Sequence, residues 1–188
     1  MIATAAAFAW PAVQDLLVAD GRIAHGHLWR AVTGPFVHAT WGHLVRDLAL
    51  VCVAGVAYEA PLGRKGLVFG GGLVLPGLAV LAAGQAQWYC GLSGLSHALL
   101  AAALTFEATR RTGAVRVAVL GVCAIAALKP LYELVTGAPA FAMALGADVH
   151  QTPLAHAVGV AIGVCCGLTS TRMRDRSYRS REPRAVHP

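Results

Sequence analysis

Apolar residues gather along the chain in six stretches, roughly 1–18, 43–60, 66–85, 93–109, 115–135 and 153–168, parted by short polar or glycine-rich breaks. A membrane-spanning helix needs about 20 mostly apolar residues, so the pattern predicts an all-α, polytopic membrane bundle of six transmembrane helices. The first stretch is interrupted by Pro11, Gln14 and Asp15, and reads as a short helix or a clipped span. Its opening residues lack the basic start of a signal peptide and are read as part of that span. The fourth stretch, about 16 residues at 1.5 Å each, falls short of a hydrocarbon core of about 30 Å. A helix can begin part-way through a membrane only where its irregular opening lines a protein cavity or water. The fourth helix is therefore expected to start at depth, with Ser93 at its head.

Composition strengthens the lipid reading. Charged residues are 13% of the 188 and hydrophobic ones 57%, against roughly 25% charged in a soluble domain. The formal charge of +6 raises nucleic acid as a partner. The basic residues, however, form short clusters and a tail, with no stripe interleaved with aromatics, so no nucleic acid is expected. Their placement sets topology instead. Arg64 and Lys65, then Arg110, Arg111 and Arg116, then six arginines from Arg172 to Arg184 place eleven basic residues in alternate loops and the tail. Arg22 and Arg30 alone fall on the opposite side. Because Lys and Arg are retained on the cytoplasmic side, both termini are expected there. Residues 1–171 would form one transmembrane domain and 172–188 a basic cytoplasmic tail. Five cysteines, Cys52, Cys90, Cys123, Cys165 and Cys166, lack a CxxC pair and read as small apolar packing residues.

Three segments carry candidate chemistry. In Tyr89-Cys90-Gly91-Leu92-Ser93-Gly94, glycines flank a serine just before an apolar helix. Glycine permits a tight turn and close backbone approach, and a helix start offers free N–H groups to a developing oxyanion. On its own the motif also suits plain helix packing. The last stretch contains His156, an ionisable residue inside a span and so a functional candidate, followed by Gly159 and Gly163 at the spacing that lets another helix approach. If that helix is the fourth, Ser93 and His156 become a nucleophile–base pair. Third, His43 and Asp47 lie one turn apart at the start of the second long stretch, either as a polar helix cap or as groups around a reaction centre. His97, four residues after Ser93, is a rival base. It is disfavoured because residues at i and i+4 point the same way rather than toward each other.

Taken together, these motifs resemble those of rhomboid intramembrane proteases, in particular the small bacterial rhombosortase branch. Trp29-Arg30 and His38 are similar to the family's first-loop motif, and His43 to the histidine opening the second span. Glu59 with Gly63 is similar to the pair closing that span, Gly91-Leu92-Ser93-Gly94 to the nucleophile motif, and His156 with Gly159 and Gly163 to the base motif. The resemblance implies a rhomboid-like fold, Ser93 as nucleophile and His156 as general base with no third acid. It implies an oxyanion and substrate region of His43, Asp47, Gly91, Leu92 and Gly94, and structural roles for Trp29, Arg30, His38, Glu59, Gly159 and Gly163. Asp47 stands where the family has asparagine, and a carboxylate accepts rather than donates; orienting His43 or pairing with a cation suits it better. The implied substrates are membrane-anchored exported proteins with a C-terminal Gly-Gly-type sorting tail, cleaved at the bacterial inner membrane without cofactor or metal. Two other readings are an inactive rhomboid-like protein that binds other spans and a metal or haem protein using His25, His27, His38, His43, His97, His150 and His156.

Overall fold

A computed structural model describes residues 11–58, 62–138, 140 and 152–179, with the backbone alone at 11, 62–63 and 171–179. Glu59, His150 and most of the first apolar stretch lie outside the described residues. The chain begins with α1 (Pro11–Leu17), the two-residue strand β1 (Ala19–Asp20) and a 3-10 turn (Gly21–His25). The short helix α2 (Trp29–Thr33) runs into a second 3-10 turn (Gly34–Phe36). Five longer helices follow: α3 (Trp41–Ala57), α4 (Leu62–Ala82), α5 (Ser93–Arg110), α6 (Gly113–Thr136) and α7 (Pro153–Arg179), with β2 (Trp88–Tyr89) just ahead of α5. They coincide with the second to sixth apolar stretches to within a few residues, except that α7 runs on to Arg179.

Local chemistry sets several of these limits. Thr40 caps α3, its hydroxyl accepting from the His43 N–H at 3.1 Å, which satisfies a donor that the first turn leaves orphaned. His43 and Asp47 are therefore free of the capping role. Gly137, left-handed at φ 68°, ends α6 and returns its N–H to the Glu133 carbonyl. Pro153 begins α7, where a missing N–H costs nothing.

Among the described residues α4, α6 and the Pro153–Ser170 part of α7 are long and apolar enough to cross a membrane. A fourth crossing results if α3 is joined to the Trp29–Phe36 segment, from which it bends by 102°. The remaining long helix, α5, falls outside that set because it is less apolar, and its surroundings are protein. It packs against α3, α4, α6 and α7. Its alanines 98, 101, 102, 103 and 108 are buried with Leu95, Leu99 and Phe106, so small side chains let four neighbours crowd one axis. Tyr58, Val68, Leu92 and Ala54 complete the core around it. Near the other end, the Tyr58 hydroxyl meets Ser170 Oγ at 2.8 Å, joining the end of α3 to α7. The outer helices expose apolar side chains such as Val53, Val56, Val117 and Val135, a surface suited to lipid.

The first loop is more ordered than its sequence suggests. Ala19 and Asp20 pair antiparallel with Tyr89 and Trp88, tying the loop to the segment that leads into Ser93. Arg30 is buried and donates to the Asp15 and Val18 carbonyls at 2.6 and 3.0 Å, and the Trp29 indole donates to the Leu16 carbonyl at 3.2 Å. Both residues brace the turn that sets α2 against β1.

Candidate active site at the head of α5

The segment before α5 is held from two sides. The Gly91 N–H donates to the Val37 carbonyl at 2.8 Å and the Leu92 N–H to Asp47 Oδ2 at 2.7 Å. Gly91 has φ 93°, a conformation glycine adopts without steric cost. A Cβ there would lie 2.7 Å from His43 Nε2 and 3.2 Å from Asp47 Oδ2. The backbone beside Ser93 thus lies directly on the His43 ring, and only glycine fits. Gly94 has its own reason: a Cβ would meet Pro76 of α4 at 2.5 Å and the Tyr89 hydroxyl at 3.1 Å. Tyr89 in turn sits against the Ser93 side chain.

Glycines on α7 bring His156 to the same place. A Cβ on Gly159 would collide with the Gly94 carbonyl oxygen, one on Gly163 with the Ala98 carbonyl oxygen, and one on Gly167 with Thr105 Cβ at 2.7 Å. This stripe lays α7 against α5 backbone to backbone. His156, less than one turn before Gly159, is buried and stacks on His97, with ring centroids 4.2 Å apart and planes 12° from parallel. His97 Nδ1 donates to the Ser93 carbonyl at 2.7 Å, so that nitrogen is committed to backbone and the ring serves as a platform for His156. Among the described residues no hydrogen bond joins Ser93 Oγ to the His156 ring.

Asp47 gathers donors. Its Oδ2 accepts from Leu92 N–H and lies 3.1 Å from His38 Nε2 and 3.3 Å from His43 Nε2. His38 also faces the Phe36 carbonyl through Nδ1 at 3.2 Å. Asp47 Oδ2 therefore holds His38 and the Leu92 amide by hydrogen bonds, with the His43 ring beside them at ion-pair distance, and the Leu92 N–H is engaged there. Arg46 turns away, donating to the Gly42 carbonyl. The ligating atoms of His38, His43 and Asp47 all lie within 4.8 Å of one another and are buried. Two imidazoles and a carboxylate form a donor set suited to zinc, but these spacings equally suit charge-assisted hydrogen bonds. His97 and His156 belong to the separate stacked pair, and His25 and His27 to the first loop.

Cys90, close to Ser93 in sequence, is a half-buried free thiol.

One residue at the site escaped the sequence reading. Glu133 of α6 is buried, its carboxylate bonded through both oxygens to Lys129 at 2.9 Å, and its Oε2 lies 3.7 Å from His156 Nδ1. The signal was the Lys129–Glu133 pair, two ionisable groups four residues apart inside an apolar run.

Buried polar groups within a bundle of lipid-facing helices define the chain as a multi-pass membrane protein. Residues 25–173 match the Rhomboid domain family, and the chain belongs to that family, whose members are typically intramembrane serine proteases acting on membrane proteins. No curated protein matches the chain.

Proposed function

We propose that the protein is an intramembrane serine endopeptidase in which Ser93 is the nucleophile and His156 the general base. The observation that carries this is the close α5–α7 contact at Gly94 and Gly159, which sets the His156 ring on His97, one turn from Ser93. In this reading His156 takes the Ser93 proton on Nε2 as Oγ attacks the scissile carbonyl. The same proton passes to the leaving amine as the C–N bond breaks, and water then releases the acyl group. In this reading the helix-start N–H of Ser93 meets the oxyanion, joined by the nearby His43 ring.

Six spans with both termini cytoplasmic at a bacterial inner membrane, and a basic tail at 172–188 anchoring that orientation, fit the charge pattern. The proposed substrates are exported proteins carrying a C-terminal sorting tail, a class supported by the likeness of Tyr89-Cys90-Gly91-Leu92-Ser93-Gly94 and His97 to the rhombosortase motif.

Labelling with a fluorophosphonate probe tests the assignment. The wild-type chain should label at Ser93, while Ser93→Ala should not label and His156→Ala should lose all but a trace. A non-catalytic relative that only binds other spans would leave the wild type unlabelled. A metal centre at His38, His43 and Asp47 would give an activity abolished by chelators and indifferent to the probe.

A further inference from the structure

The Glu133 carboxylate is placed where the sequence reading expected no acid. Carried on α6, it reaches inward to the ring that α7 presents, and both are buried. Its oxygens are not equivalent. Oε1 accepts from Lys129 at 2.9 Å and from the Ala140 N–H at 3.1 Å, whereas among the described residues Oε2 accepts from Lys129 alone, at 2.9 Å. A carboxylate oxygen has room for two bonds, so Oε2 retains one acceptor position, 3.7 Å from His156 Nδ1. That nitrogen is buried and has no hydrogen-bond partner among the described residues. An orphaned ring nitrogen and an unfilled acceptor position thus face each other across the α6–α7 boundary, outside hydrogen-bond range by a few tenths of an ångström.

We propose that Glu133 is a positioning residue for His156, its Oε2 holding the neutral ring in the tautomer with the proton on Nδ1. The inference rests on the Ser93–His156 reading and deepens it. Which imidazole nitrogen carries the proton is set by what the other nitrogen meets. A carboxylate opposite Nδ1 leaves Nε2 as the basic nitrogen, the one required to take the serine proton. It also faces the positive charge that develops when the ring is protonated. Lys129, bonded to both carboxylate oxygens, supplies the counter-charge beside them inside the apolar bundle.

The test uses the full chain in detergent micelles, with ¹⁵N-labelled histidine and the His156 signal assigned by its loss in His156→Gln. At mildly alkaline pH the wild-type ring should carry its proton on Nδ1; a proton on Nε2 overturns the proposal without any variant. Glu133→Gln should shift the ring toward the other tautomer and slow fluorophosphonate labelling of Ser93 by at least about tenfold, through the inactivation rate rather than through probe affinity. The double variant Lys129→Met/Glu133→Gln separates the two roles of the acid. Were Glu133 only the counter-charge of Lys129, the pair of neutral residues would restore wild-type labelling and tautomer, and the proposal would fall. Continued slow labelling in the double variant supports it. A wild type with the expected tautomer but no labelling at all would sink the Ser93 assignment while leaving the Glu133–His156 contact in place.

Discussion

At the residue scale, Asp47 shows how one atom can organise a site from three chain segments. Its Oδ2 draws the Leu92 amide from the α5 head, His38 from the first loop and His43 from its own helix. Asn has an acceptor of the right size but no charge, and its amide N–H₂ would face donors. Asp47→Asn should therefore destabilise the fold by about 1–3 kcal/mol, seen as a lower thermal midpoint in detergent, and should slow Ser93 labelling by loosening His43. The sequence put His43 and Asp47 on one helix face by their four-residue spacing. It could not show the Leu92 amide or His38, because those contacts cross about 45 residues in one case and depend on how the loop folds back in the other. Glu133 went unread for a related reason: its reach to another helix is a tertiary fact. In the first loop, hydrogen bonds from the Arg22 side chain and backbone hold Asp20's carboxyl below the usual carboxylate range, outweighing partial burial. A lowered folded value means the stabilisation is complete above the ordinary aspartate range near 4 and is lost as pH falls through the folded value. Limited proteolysis of the loop should show wild type outlasting Asp20→Asn at neutral pH, with the advantage vanishing in strong acid.

At the element scale, the α7 glycines are the part of the site most legible in sequence. Gly159 and Gly163 predicted a close helix partner, and the contact with α5 is that approach, extended by Gly167. Gly163→Ala would set a methyl against the Ala98 carbonyl oxygen and Ala102 N, neither of which can yield without moving α5. The expected cost is about 1–3 kcal/mol or more. Gly121→Ala, on α6 with nothing within 4 Å of the added atom, should instead be neutral or stabilising by up to about 1 kcal/mol. Thermal unfolding of the two variants side by side measures the difference. The helices themselves were recognisable from apolar length alone. By contrast, the two-residue β1–β2 pair and the bent turn at Trp29–Phe36 were not, since pairings this short have no periodicity of their own and form because buried Arg30 and Gly34 draw the segments together.

At the scale of the whole molecule, lipid and protein divide the work of solvation. The outer helices α4, α6 and α7 meet the membrane criterion by themselves, while α5 is surrounded by them. That arrangement places Ser93 at the head of a helix whose environment can be polar on one side and packed on the others. Its lower hydropathy fits a helix that meets protein over most of its surface.

A consequence follows for how the chain is made. Leaving the translocon, a segment partitions into lipid according to its own apolarity, and α5 offers less than its neighbours: its leucines and Phe106 are offset by Ser93, Ser96, His97 and Glu107. Its insertion must draw on α6 and α7, which emerge later. Ribosome-bound nascent chains stopped just after Arg110 should therefore leave α5 only partly integrated, and chains extended through Ser170 should carry it in fully. A glycosylation reporter placed beside α5 would read the two states. On this view Ser93 joins the bilayer last in order of commitment, though not in order of synthesis.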